Sequence, residues 1–456
     1  MWGHRLLPRR SWVEGDSARL ADRNGEACLL VLAGWGSRLP KYVIRMTPRG
    51  GTVPRVNHRM SRIRKVAAFL LIVITAGCAN SEAVTGEVTV SPPPTSTTST
   101  AVMPAHMTDL LPGMPPPLSP TDIYAANREL SRSVTDHRPL VYVPNSKSNT
   151  VTVIDQNTLQ IIDTYSTGGS EPQHVVPSYD MQTLYATNDL PIGGGSLLPI
   201  DPRTGMPAGQ SFPVRDPYNM YYTPDGKFAL VVAEADKSLD FYDPVTWQKL
   251  HALAVPECAG VDHMDFTADG RFAVASCEFI GRMAVFDVAQ RTLIKMIDLP
   301  GGRGGMPQDV KLSPDGHVFF VADMMADGVY TIDAHTFENT GFIPTGKGTH
   351  GLYVTRDSKQ MLITNRHEGS ISVWDFAANA VVHKWFIPGG GSPDMGNISA
   401  DGRVFWVSGR YNNEVYAVDI VNWTLLARIP VGSGPHGLTV WPQPGRYSTG
   451  HTGVMR

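Results

Sequence analysis

One short pattern, an apolar strand closed by aspartate, recurs along this chain at a nearly fixed interval. It ends at Asp155 (VTVID), Asp201 (PID), Asp243 (FYD), Asp287 (VFD), Asp333 (TID), Asp375 (VWD) and Asp419 (AVD), with spacings of 46, 42, 44, 46, 42 and 44 residues. A second marker keeps the same period: Asp180, the Asp-Gly pairs at Asp225, Asp269, Asp315 and Asp401, and the Asp-Ser at Asp357. Units of this length, built of short apolar runs, cannot bury a hydrophobic face alone, and they stack as the blades of a β-propeller. Seven Asp-closed strands give seven blades. The predicted fold is all-β, a seven-bladed β-propeller of four-stranded antiparallel blades over residues 140–446.

Each copy reads the same way. A short apolar run precedes the Asp-Gly turn (MDFT before ADG, VKLS before PDG), and a hydrophobic run follows it (FAVAS, VFFVAD, VFWVSG). The third strand ends in the repeating aspartate, and a fourth carries a looser Leu/Ile pattern such as TLIKMIDLP. Continuous apolar runs suit strands that neighbouring blades cover on both faces. The first copy begins at its second strand, VYV (141–143), while the last overruns with HGLTVW (436–441). The C-terminal strand is therefore expected to join the first blade as its inner strand and leave no open edge. The repeating aspartates invite a metal reading. However, in DQNT, DPRT, DPVT and DAHT each stands three residues before a threonine, the pattern of a side chain capping a tight turn. We expect them to be structural.

The front of the chain is different. Residues 60–65, MSRIRK, form a basic segment, 66–77, VAAFLLIVITAG, an apolar core too short for a comfortable membrane span, and Cys78 follows in ITAGC. The run 60–78 resembles a bacterial lipoprotein signal with Cys78 as the lipidated residue, although Thr75 stands where leucine is usual. Simple secretion is the alternative. Since this signal starts at its own Met60, residues 1–59 are expected not to belong to the working protein. Residues 79–120, with SPPPTSTTST and LPGMPPPLSP, read as a flexible Pro/Ser/Thr tether, 121–139 as a lead-in with a short helix at 121–134, and 447–456 as a tail. The expected location is the bacterial cell envelope, with membrane contact through the lipid only. A net charge of −3 offers no basic field for nucleic acid. A single closed ring is read as a monomer.

The motifs VYVPN, LYATN and LITN, the VID-like third strands, the segments STGG, PTGKG and PVGSG, and PHG in GPHGLTV resemble the YVTN family of seven-bladed propellers across 140–446. That resemblance implies the fold. It leaves function open, because the family spans surface-layer and cell-surface proteins, lactonase-like enzymes and sugar- or cofactor-linked relatives.

The site must be argued from its own residues. The start of each inner strand faces the mouth of the central channel, six and seven positions before each turn aspartate. This rule collects Gln173/His174, Tyr218/Asn219, Asp262/His263, Gln308/Asp309, His350, Asp394 and His436, and the adjoining loops add Glu234, Glu278, Arg366, His367 and Arg410. The candidate ligand-binding set is His174, Asn219, His263, Asp309, His350, Arg366, Asp394, Arg410 and His436. Since inner-strand starts are wet in any propeller, a plain solvated rim is the baseline. His350, Asp394, His436 and His174 come from four successive blades and are the candidates for a divalent metal such as zinc or calcium. The arginines would suit an anionic ligand. A lactonase-like reaction would draw on His350, Asp394 and His436, with Glu278 as a further acid. No GxSxG or HExxH motif occurs, and GGRGG (301–305) opens no helix, so a nucleotide cradle is not expected. Trp374, Trp406 and Trp441 read as packing between blades.

Cys258 and Cys277 flank the first two strands of the fourth blade at the same end, which predicts a disulfide permitted by an exported location. The resulting expectation is a cell-envelope-anchored or secreted binding and scaffolding propeller that meets a protein or small molecule at its channel rim. The alternative is a lactonase-like or other hydrolase, metal-dependent or not.

Overall fold

A computed structural model describes residues 109–190 and 194–456, and the backbone of a separate two-stranded hairpin, Arg19–Ala21 paired with Ala27–Leu29. The signal segment, Cys78 and the tether up to residue 108 lie outside the described residues. Seven sheets form the ring. Their inner strands are Thr439–Trp441 in blade 1, Pro172–Pro177 in blade 2, Pro217–Tyr222 in blade 3, Val261–Phe266 in blade 4, Pro307–Leu312 in blade 5, Thr349–Val354 in blade 6 and Pro393–Ile398 in blade 7. Blade 1 is completed by Leu140–Asn145, Thr150–Asp155 and Ile161–Ser166, and the register Leu140↔Trp441, Val141↔Val440, Tyr142↔Thr439 closes the ring. No edge is left where the chain's two ends meet. Blade 2 departs from the pattern, since two short pieces, Met206–Pro207 and Phe212–Pro213, share the place of one outer strand.

Burial follows from stacking. Leu140–Asn145 is buried throughout and Thr150–Asp155 is buried except at its ends, whereas the outer strand Ile161–Ser166 alternates between exposed and partly exposed positions. Neighbouring blades cover both faces of the inner strands, and only the outer strand meets water. Trp374, Trp406 and Trp441 are buried within this packing. A fully buried side chain of this size contributes roughly 1.5–3 kcal/mol or more through area removed from water, so Trp406→Ala would be expected to cost about 3–5 kcal/mol.

The repeating aspartates are turn caps. Asp155 Oδ1 accepts from the amides of Asn157 and Thr158, both at 3.0 Å, and Asp243 and Asp333 accept from the corresponding amides two and three residues on.

Three segments differ from the sequence reading. The lead-in forms two 3-10 turns, Ala125–Arg128 and Arg132–Val134, in place of a helix. Residues 109–120 are docked, because Leu111 and Met114 find an apolar site between blades 3 and 4 and the Leu111 amide bonds to the Asp269 carbonyl. Residues 447–456 are folded into the ring. Ser448–Gly450 pairs with the inner strand of blade 3, Val454–Met455 folds back on it, and Arg456 is buried against Asp265 at 2.7 Å. The lead-in seals this end, with Asn127 Nδ2 donating to the Met455 carbonyl and Tyr124 Oη to the Leu312 carbonyl. The channel is thus closed on the face of the Asp-Gly turns.

Candidate functional site

The channel lining begins with a bulge. In blades 2 to 7 the pairing of the inner strand slips just after its first residue, as between Val261 and Met264 or Pro307 and Val310. A bulge re-aims side chains, so that two successive residues reach the channel where a regular strand would send only one. It also frees a backbone N–H, which a hydroxyl on the second strand accepts: His174 N to Thr187 Oγ1 at 3.0 Å, His263 N to Ser276 Oγ at 3.0 Å, Gly351 N to Thr364 Oγ1 at 2.7 Å. The threonine of the LYATN and LITN motifs is therefore part of the scaffold of the site. The asparagine that follows holds the third strand, as when Asn365 Nδ2 donates to Ser370 and Ser372, both at 3.0 Å.

Two tiers result. Nearest the mouth stand Gln173, Tyr218, Asp262, Gln308, His350, Asp394 and His436, and below them His174, Asn219, His263 and Asp309. All are buried, at 9% exposure or less. The expected wet rim is thus a closed polar core, because the plug and the narrow ring exclude solvent. Half-buried Glu234, Glu278 and Arg410 line the mouth above, while His367 is exposed and stacks on Tyr411.

The sequence-derived metal set does not assemble. His350, Asp394 and His436 meet, but the Arg366 guanidinium bonds both Asp394 Oδ1 and His350 Nε2. His350 Nδ1 lies 3.2 Å from Asp394, and His436 Nδ1 lies 2.7 Å from it. A fixed positive charge already occupies the place a cation would take. Burial alone would raise the Asp394 carboxyl, yet Arg366, His350 and Arg410 hold it below the usual range. The three-group clasp resembles other buried ion pairs, in which removing one partner strands the rest. The His174 ring packs on His436, centroids 4.9 Å apart, but neither of its nitrogens bonds a member of the Asp394 cluster.

It lies with His263 and with His451, a residue of the tail that the repeat-based reading passed over. One ring nitrogen of each falls within 4.8 Å of the others. Ring centroids are 5.4 Å apart for His174–His263, 5.6 Å for His174–His451 and 4.7 Å for His263–His451. Burial depresses all three imidazoles, His174 to about 3, so they are neutral. His451 stands outside the forty-residue rhythm, and its only sequence signal was its residue type.

Above this group Glu234, Asp262 and Glu278 converge, with carboxylate oxygens within 4.8 Å of one another. Burial, then the charges of Asp262 and Glu278, push Glu234 up to about 10, and burial with Glu278 raises Asp262. Among the described residues no lysine or arginine pairs with them, and neither oxygen of Asp262 has a hydrogen-bond partner. Gln308 Nε2 donates to Glu278 at 3.0 Å. The Cys258–Cys277 disulfide joins the approach to Asp262 and His263 to the residue before Glu278, so one covalent link frames this half of the mouth.

The likeness to known proteins reflects the ring. The structure superposes on hydrazine synthase of Kuenenia stuttgartiensis with a TM-score of 0.50 at 20% identity, covering 58% of this chain and 87% of that one. A dihydro-heme d1 dehydrogenase gives 0.50 at 16% identity over 72% and 79% of the two chains. A 6-phosphogluconolactonase-like propeller from Bacteroides fragilis gives 0.53 at 13% identity over 68% and 99%. At such identities the likeness speaks for the fold alone. No curated protein matches in sequence. The model of one family, the YNCE-like beta-propellers, matches residues 110–444, from the docked segment before the ring to its closing strand. The chain belongs to the YNCE-like β-propeller family.

Proposed function

We propose that this protein is an exported, envelope-associated binding propeller whose channel mouth captures a small ligand bearing a cationic group at one end and an anionic group at the other. The observation that carries this reading is the division of acidic and basic groups across the mouth. Glu234, Asp262 and Glu278 gather on blades 3 and 4 with no lysine or arginine paired to them among the described residues, and Arg410 on blade 7 keeps Nη1 without a partner there, its Nε 3.9 Å from Asp394. Buried carboxyls of this kind gain from a cation that replaces lost solvation, and a free guanidinium edge suits a carboxylate or phosphate. The apolar, Cys-ended signal-like segment 60–78, the Pro/Ser/Thr stretch behind it and the disulfide support the envelope location.

The test is thermal shift and calorimetry of the full chain with free amino acids and dipeptides, against matched simple amines and carboxylates. Zwitterions of one preferred length should raise the melting temperature, and Glu234→Gln/Glu278→Gln or Arg410→Met should abolish the rise. A flat response to every probe, or a response untouched by Arg410→Met, would discard this reading.

A second reading, a lactonase-like or other hydrolase, has one observation in its favour. Asp394 holds His436 Nδ1 at 2.7 Å while His436 Nε2 meets Tyr218 Oη at 3.2 Å, a carboxylate–imidazole–hydroxyl relay. Turnover of sugar or aliphatic lactones that is lost in a folded His436→Ala variant would move this reading ahead of the first.

A further inference from the structure

On the closed face of the channel one position of the repeat is treated differently from its equivalents. Asp265, Lys311, Tyr353 and Asn397 each stand one residue before the end of the inner strand, in blades 4, 5, 6 and 7. Three of them are engaged. Asp265 holds Arg456 at 2.7 Å and accepts the Leu312 amide at 2.9 Å. Tyr353 Oη accepts the Gly396 amide at 2.8 Å, and Asn397 Nδ2 donates to the Thr452 and Gly453 carbonyls at 3.0 and 3.2 Å. Lys311 is the exception. It is only 6% exposed, and among the described residues its ammonium makes no hydrogen bond and no ion pair. A cation buried without a partner is costly, so this one asks for an anion.

Lys311 lines a cleft of about 40 Å³ between blades 5, 6 and 7 and residues 452–455 of the plug. Arg356 lines it too, and no aspartate or glutamate does. The Arg356 guanidinium meets neutral acceptors only. Its Nε donates to the Ser399 carbonyl at 3.2 Å, and its Nη2 donates to the Ile398 carbonyl, to Gln443 and, at 3.4 Å, to Asn397 Oδ1. Burial pulls it down to about 10, and the charge of Asp401 offsets only part of that. The carboxylates nearby are spent elsewhere. Asp309 accepts the amides of Val310 and Leu352 at 2.9 and 2.8 Å, and Asp401 accepts the Ser399 hydroxyl at 2.5 Å and the Arg403 amide at 3.1 Å. One water needs about 10–15 Å³ of such space, so the cleft holds roughly three, the room for one small anion and not for a sugar or a nucleotide.

We infer that Lys311 and Arg356 bind a phosphate-class oxyanion in this cleft, and that the ion steadies the seated 447–456 segment. The ammonium supplies a compact charge with three N–H donors, and the guanidinium a second, fixed charge beside it. Since residues 452–455 form one wall, the cleft is complete only in the plugged ring, and anion binding and plug seating stabilise each other. Free phosphate and the phosphoryl end of a larger molecule share this chemistry.

The experiment uses the full chain, freed of phosphate and sulfate and titrated with inorganic phosphate by calorimetry and thermal melts, with ionic strength held constant by NaCl. One equivalent should bind and raise the melting temperature. Lys311→Met should bind at least about tenfold more weakly and lose the rise, yet melt no lower than the wild type in phosphate-free buffer, because it removes an unpaired buried charge. Arg356→Lys should weaken binding about tenfold, and Arg410→Met, at the mouth, should keep the one equivalent. Glycerol phosphate separates the two sources: weaker binding than phosphate assigns the free ion, and equal or tighter binding assigns the phosphoryl end of a larger molecule. A wild type indifferent to phosphate overturns the inference. So does a response that survives in Lys311→Met or in folded Arg356→Lys, or one lost in Arg410→Met, which would place the ion at the mouth. A Lys311→Met chain that does not fold, or that loses the same stability with and without phosphate, also overturns it by making Lys311 a purely structural residue. The Lys311 results decide the matter should Arg356→Lys fail to fold. Failure of zwitterion binding leaves this result untouched, since that test uses different residues and probes.

Discussion

Apart from His451, which the tail supplies, the two halves of the channel are built from equivalent positions of one repeat, yet they differ in charge. On the side of blades 6, 7 and 1, Asp394 is clasped by Arg366, His350 and His436, and each charge has its complement within the cluster. On the side of blades 2 to 4, three imidazoles and three carboxyls converge with Nε2 atoms and Asp262 oxygens left without hydrogen-bond partners. The scaffold is similar in kind, an inner strand bulged in blades 2 to 7 and supported in blades 2, 4, 6 and 7 by a hydroxyl on the next strand. What differs is the residue after the second strand: an arginine, Arg366 or Arg410, on one side, and an acid, Glu234 or Glu278, on the other. A basic residue at that position makes a self-contained structural cluster, and an acidic one leaves a deficit that a ligand can fill.

This contrast can be broken most sharply at Asp394. Asp394→Ala strands the buried Arg366 guanidinium and should cost about 3–5 kcal/mol, read by urea unfolding. Next in size is the covalent frame of the other half. Opening the Cys258–Cys277 link, with a sequence separation of 19, should cost roughly 3 kcal/mol in the chain-entropy model, measured by denaturation of the Cys258→Ser/Cys277→Ser variant. The perturbation should fall on the acid-rich side and leave the Asp394 cluster's histidine resonances unmoved.

A third substitution should have the opposite sign. Asp262→Asn replaces an unpartnered buried carboxyl by a neutral amide, and should leave stability unchanged or raise it by about 1 kcal/mol, as Asp394→Asn would not. The last is a pH dependence. Asp189, buried and facing Asp216, is pushed up to about 8 by burial and by that second carboxyl. Its folded pKa lies above the unfolded value, so its contribution is fully present below the unfolded pKa and lost as pH rises toward 8. Asp189→Asn should flatten the stability profile between pH 4 and about 8, its gain over the wild type growing as pH rises, seen by thermal melts across that range.

Much of the mouth was legible before any coordinates. Counting back from each Asp-Gly turn found His174, Asn219, His263, Asp309, His350, Asp394 and His436, because a repeat converts sequence position into position around a ring. The grouping was not legible. Blade order groups His174 with His350, Asp394 and His436, and its ring does pack on His436 at 4.9 Å, yet it also packs on His263 at 5.4 Å and bonds neither Asp394 nor His350. Arg366 was marked as a binding residue, and in the folded chain it neutralises the very aspartate a metal would need. His451 escaped because it lies beyond the last repeat, where no period could assign it a place.

The sequence by itself determined the ring: its seven blades, the closure through residues 436–441, the capping role of the repeating aspartates and the proximity of Cys258 to Cys277. Each of these depends on local pattern and fixed spacing, which the backbone obeys wherever it occurs. The tertiary structure alone decided that the channel is plugged, that its polar lining is buried, and that three histidines far apart in sequence share one space. Those outcomes depend on where a non-repeating segment comes to rest and on which charges find each other first, and no period in the chain encodes either.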